Sequence, residues 1–152
     1  MKYLFSYGLT IVVLLISTFV SWYEGSAIRL NPWEWKYTAF FSTWWHGEIK
    51  SEADIVQLDH FLYAAKFAPF FPFLMFASAS FVVALTLYLT LKDKKFVVSL
   101  FSMCMIYAFI GICLRNADTI GGQLFEKSCY CLGALYFLSA IHSSRRIPNV
   151  TF

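Results

Sequence analysis

The chain has 152 residues, 59% of them hydrophobic and 14% charged, with a mean hydropathy of +0.62 and a formal net charge of +3. That balance excludes an ordinary soluble domain and points to a single helical membrane domain, residues 1–152. So small a charge, with basic residues at helix boundaries rather than in a stripe, excludes a nucleic-acid surface.

Between Lys2 and Glu24 lie twenty-one uncharged residues, Tyr3 to Tyr23. As a helix they cross a hydrocarbon core of about 30 Å, which places the first span at about 4–22. Gly25-Ser26-Ala27 has the small residues of a signal-peptide cleavage site. The apolar stretch nevertheless exceeds the usual core of such peptides, and one lysine makes a thin leading region, so the segment is expected to stay as a span.

Residues 23–69 form the first outer loop. All five tryptophans fall in or beside it, at Trp22, Trp33, Trp35, Trp44 and Trp45, with Tyr23, Tyr37, Phe40 and Phe41 among them. Rings with an apolar body and a polar edge favour the headgroup region, so this loop is expected to lie on the bilayer as a helical, Trp-rich cap. Asn31-Pro32-Trp33-Glu34 predicts a helix start, with Asn31 capping, Pro32 at the first helical position and Glu34 reaching back; the helix runs to about Phe41. Gly47 breaks the chain. Ser51-Glu52-Ala53-Asp54 is a second capping signature, after which Ile55, Leu58, Leu62 and Ala65 share one face of a helix leading to the membrane.

Trp33, Trp35, Trp44 and Trp45 are the candidate interaction surface of the loop. His46, Glu48, Glu52, Asp59 and His60 are potential metal ligands by type, but their spacing fits no zinc pattern. Neither metal nor cofactor is expected. Glu24, Arg29, Glu34, His46, Asp59 and Arg115 are the polar groups that would line a pocket under the cap, if one exists.

Pro69 and Pro72, which lack backbone donors, mark the start of the second span, about 70–91; the third is about 96–114 and the fourth about 124–141. Glu126 and Lys127 then lie at the boundary, where Lys127 can snorkel. Lys2, the Lys92, Lys94 and Lys95 turn, and Arg145 with Arg146 fall on one side of the four spans. The positive-inside rule therefore puts both termini and that turn in the cytoplasm. Ionisable groups, which mark proton and ion paths, are absent from the middles of the spans. Mid-span hydroxyls such as Thr10, Ser17, Ser78 and Ser102 are read as helix-packing groups.

Cys104 and Cys113 lie in the third span, Cys129 and Cys131 near the outer end of the fourth; a bridge from Cys113 to Cys129 or Cys131 is sterically open. Cys129-Tyr130-Cys131 is not a thiol-oxidoreductase Cys-x-x-Cys, and the first loop has no cysteine. The four-helix disulfide-generating quinone oxidoreductases and the claudin-like proteins are excluded on that ground.

Trp22-Tyr23-Glu24-Gly25-Ser26, Asn31-Pro32-Trp33-Glu34-Trp35-Lys36-Tyr37, Asp54 to Phe61 and Tyr63-Ala64-Ala65-Lys66-Phe67 resemble the YjdJ type of small Bacillus membrane proteins. The resemblance covers the first part of the chain and implies a bacterial cell membrane. It implies no activity and supplies no functional residues. The expected architecture is an all-α, four-span transmembrane helical bundle with a helical, Trp-rich extracellular cap. The expected function is that of a non-enzymatic accessory protein whose outer loop contacts the lipid bilayer, a membrane-protein partner or a homo-oligomer copy. The alternative is a membrane enzyme or small-solute carrier with a pocket inside the bundle.

Overall fold

The computed structural model describes residues 2–146. Among these residues the chain is helical, without strands: α1 (Lys2–Gly25), a 3-10 turn (Ser26–Leu30), α2 (Pro32–Thr38), α3 (Phe40–His46), a second 3-10 turn (Glu52–Asp54), α4 (Gln57–Phe67), α5 (Phe70–Thr90), α6 (Asp93–Cys113) and α7 (Ile120–Arg146). Four stretches are long and apolar enough to cross a membrane: Tyr3–Leu30, Phe70–Thr90, Asp93–Cys113 and Ile120–Arg146. Their mid-span hydroxyls are spent on their own helices, since Thr10 donates to the Ser6 carbonyl, Ser17 to Val13, Ser78 to Leu74 and Ser102 to Val98. In hydrocarbon this cancels a polarity that would otherwise cost free energy.

Two compact units divide the chain, one of Met1–Phe81 with Thr119–Gly121, the other of Val82–Asp118 with Gly122–Phe152. In the first unit α4 packs against the end of α1 so closely that a Cβ on Gly25 would stand 1.8 Å from the His60 carbonyl oxygen. Only glycine permits that approach. Gly121 is constrained likewise, since a Cβ there would stand 1.8 Å from the Ala65 carbonyl oxygen. Ile28, Ala39 and Ile55 form a small apolar core between the short helices, with Trp35, Ile49 and Tyr63 against it.

In the second unit α5 turns into α6 through Leu91 and Lys92, with Asp93 at φ 52°, a left-handed conformation that Asp tolerates better than most residues. Gly111 receives the Tyr130 ring 2.8 Å from its would-be Cβ, and Tyr107 stacks on Tyr136 with centroids 5.4 Å apart. Cys104, Cys113, Cys129 and Cys131 are all free thiols, so the sterically open Cys113 bridge is not formed.

Several local expectations are corrected. The helix from Pro32 breaks at Ala39 (φ −82°, ψ 59°), giving two short helices instead of one that reaches Phe41. Asn31 occupies the capping position, but its side chain makes no cap bond; its amide donates instead to the Tyr63 hydroxyl at 2.7 Å and the Ala27 carbonyl at 3.1 Å. Glu34 does not reach back, because Lys66 holds it. The Ser51 signature closes only a 3-10 turn, with α4 starting later at Gln57. The face expected from Ile55, Leu58, Leu62 and Ala65 divides: Ile55 precedes α4 and is buried, Leu58 and Leu62 are exposed, and the buried residues of α4 are Asp59, His60 and Ala64. The last helix begins at Ile120, before residue 124, and runs past Ile141 to Arg146.

Candidate functional site

Residues 24–67 carry the buried ionisable groups of the first unit, Glu34, Asp59 and His60, on the short helices α2 and α4. Asp59 is fully buried at the third position of α4 and aims its carboxylate across to the start of α3. It accepts the Phe41 N–H at 2.9 Å, the Ser42 N–H at 2.8 Å and the Ser42 hydroxyl. Ser42 in turn accepts the Val56 N–H at 2.8 Å. A helix start leaves unpaired backbone donors, and here a residue distant in sequence satisfies them, locking α3 to the chain entering α4.

Glu34 is the second buried acid. Its Oε2 accepts Lys66 Nζ at 2.9 Å and the Thr38 hydroxyl at 2.8 Å, while Lys66 also donates to Thr38 at 3.1 Å. Burial works against the Glu34 carboxylate, but the bonds from Lys66 and Thr38 and the lysine charge outweigh it and hold the pKa below the ordinary value. Asp54, in the exposed turn, is lowered by the backbone N–H groups of Lys50 and Ser51, which it accepts at 3.0 and 2.9 Å.

His60 differs from both. It is 1% exposed, lies 5.9 Å from the Trp22 ring, and has no hydrogen-bond partner on either ring nitrogen. Burial first and the Arg29 charge second depress its pKa; the Trp22 backbone and Asp59 act in the opposite sense without cancelling them. Glu24 Oε2 and Arg29 Nε are also buried without partners. Sequence reasoning assigned His60 only to a scatter of metal-ligand types. Its burial was hidden because the helical face that carries it is the polar one.

The remaining candidates separate clearly. Trp33, Trp44 and Trp45 are exposed, whereas Trp35 is half-buried, donating its indole N–H to the Ile28 carbonyl at 2.8 Å. Trp22 likewise donates to the Gln57 side chain. His46 is exposed at the end of α3, and Arg115 is exposed in the second unit. Among the described residues no three His, Cys, Asp or Glu side chains gather to hold a metal ion. Open grooves of the second unit lie at Thr90–Lys95 and along Val98, Phe101, Ser102, Met105 and Ile106 of α6; none of the six pocket candidates lines them.

These features define a multi-pass helical membrane protein in which two buried acids, Glu34 and Asp59, hold short helices together. Residues 4–91 match the family described as a domain of unknown function, DUF4306, and the chain belongs to it. It is 37% identical over 90 residues to the uncharacterized protein YjdJ of Bacillus subtilis (strain 168), a match covering 58% of this chain and 82% of that relative. The match spans α1 to α5, so the whole buried polar network lies inside it and α6 and α7 lie beyond it. No solved structure matches the chain.

Proposed function

We propose that the chain is a non-enzymatic accessory protein of a bacterial cell membrane, with both termini in the cytoplasm and residues 23–69 outside as an interaction surface. One observation carries this reading. The two fully or nearly buried acids of the segment, Glu34 and Asp59, are bound by Lys66, Thr38, Phe41 and Ser42 of their own chain, while the large rings of Trp33, Tyr37, Phe40, Trp44 and Trp45 face outward. Exposed aromatic groups suit contact rather than turnover. The test is a photo-crosslinking residue in place of Trp33, Trp44 or Trp45 in native membranes. Crosslinks to one recurring membrane component, lipid or protein, support the reading; none at any of the three positions counts against it.

A second reading, a membrane enzyme or small-solute carrier, is favoured by Glu24, Arg29 and His60, whose buried atoms lack partners. Unpaired buried polar groups carry a free-energy cost that a bound polar solute would relieve. Its test is a solute panel scored by thermal stabilisation of the purified protein: a hit lost in His60→Ala but kept in Trp33→Ala would promote this reading over the first.

A further inference from the structure

Around the small core of Ile28, Ala39 and Ile55, the faces of α2–α4 are inverted. Trp33, Tyr37, Phe40, Trp44 and Trp45 are 67–75% exposed, while Glu34, Thr38 and Ser42, spaced four residues apart, are at 6%, 4% and 0%. On α4 the pattern repeats, with Leu58 and Leu62 outward and Asp59 and His60 inward. A helix packed for water does the opposite, turning its apolar stripe to the core and its charges out. The inversion is completed by internal pairing, since Glu34 meets Lys66 and Asp59 meets the start of α3, so these two acids need no water.

We infer that phospholipid is the occupant of this outward face, with α2–α4 seated in the headgroup and upper acyl region of the leaflet where α1 ends. This rests on the reading of residues 23–69 as an interaction surface and names its partner. Continuity with the membrane-crossing helices supports it. Only Asn31 separates α2 from the stretch Tyr3–Leu30, and only Ala68 and Pro69 separate α4 from α5, Phe70–Thr90. A connection of one or two residues reaches at most about 7 Å, so the segment is tethered at both ends to helices that lie in lipid and cannot lift away. The indole groups agree. Trp22 and Trp35 spend their N–H inside the protein, whereas those of Trp33, Trp44 and Trp45 have no protein partner among the described residues and are left for phosphate or ester oxygens. Lys36, exposed beside them with its Nζ 5.7 Å from the Tyr37 ring centroid, can extend its charge to the phosphates.

The test uses the full chain in nanodiscs of phosphatidylethanolamine and phosphatidylglycerol, with bromine placed either high or low on the acyl chains. Four of the five tryptophans are in this segment and the fifth, Trp22, lies at the end of α1, so the single-tryptophan variants separate the segment from α1. With wild-type protein, shallow bromine is expected to remove about half of the emission or more, and deep bromine clearly less, as interfacial rings require. A variant retaining only Trp44 should follow the shallow profile, and one retaining only Trp35 should be quenched much less; circular dichroism confirms that each is folded. Emission that is insensitive to bromine at either depth overturns the inference, whether the rings face water or are covered by a protein. Insensitivity that appears only as the number of chains per disc rises identifies a second copy as the occupant and equally overturns it. In either case a recurring protein crosslink at Trp33 or Trp44 would leave the accessory reading standing without the lipid.

Discussion

Replacing Asp59 by alanine should release α3 from α4. The carboxylate is fully buried and accepts two backbone N–H groups and one hydroxyl, so truncation leaves the Phe41 and Ser42 donors facing a cavity. Bonds to a charged group contribute roughly 1.5–3 kcal/mol each and an orphaned buried donor costs about 1–3 kcal/mol; because these terms overlap, a net loss of roughly 3–5 kcal/mol is expected. Asp59→Asn preserves shape but turns an N–H₂ towards one of the donors, for roughly half that loss. Ser42→Ala removes the acceptor of the Val56 N–H and one bond to Asp59, for about 1–2 kcal/mol. Since the two residues share a network, the double variant should lose less than the sum of the singles. The assay is denaturant or thermal unfolding in nanodiscs followed by tryptophan emission, because every tryptophan is in or beside the affected segment. An Asp59→Ala protein as stable as wild type, or strict additivity with Ser42→Ala, would refute the capping account.

Gly25→Ala should disrupt α1–α4 packing by more than about 3 kcal/mol, since its Cβ would meet backbone at His60, whereas Gly8→Ala, with nothing within 4 Å, should stay within about 0.5 kcal/mol; melting temperatures decide, and similar values for both would contradict the close approach. His60 has a folded pKa below its ordinary 6.5, so the unfolded state takes up a proton first: stability should be flat above that value, fall as pH drops below it, and stop falling once pH passes the depressed folded pKa. His60→Gln should flatten this fall, and a variant with the wild-type slope would assign it elsewhere. Glu34 acts in a separate, lower window. Its depressed pKa gives stability that is complete above the ordinary carboxylate range and lost as pH falls through the folded value, so Glu34→Gln should lower stability by a constant amount near neutrality and remove the slope only in that acid window. Replacing Cys104, Cys113, Cys129 and Cys131 together by alanine or serine should leave insertion and native-membrane crosslinking intact, because no bridge joins them; a folded variant that lost its contacts would point to thiol chemistry instead.

The membrane-crossing helices were legible because their signal is length. Runs of uncharged residues such as Tyr3–Tyr23 and Phe96–Leu114 have few other solutions, and Pro69 marked the start of α5 at Phe70. Inside residues 31–67 the sequence was misleading for a physical reason. Hydropathy put Ile55, Leu58, Leu62 and Ala65 on one helical face without saying what that face meets, and in the structure Leu58 and Leu62 are exposed while Ile55, Asp59 and His60 are buried. The pairings that organise this region join residues far apart in sequence, Glu34 to Lys66, Asn31 to Tyr63 and Asp59 to Ser42, and no local capping rule anticipates them. Asn31 and Glu34 look like a helix start read locally, yet each is taken by a partner on α4. The capping pattern at Ser51 did identify a real turn, with Asp54 accepting the Ser51 N–H, although the helix itself waits until Gln57.

The most direct test of the membrane account is accessibility of single cysteines to an impermeant maleimide, in intact cells and after permeabilisation, starting from a cysteine-free protein. The account predicts that positions Glu48 and Asp118 react in intact cells, and that Lys94 and Arg145 react only once the membrane is opened, as the lysine and arginine distribution requires. Labelling of position 94 from outside would contradict the orientation and move residues 23–69 to the cytoplasmic face.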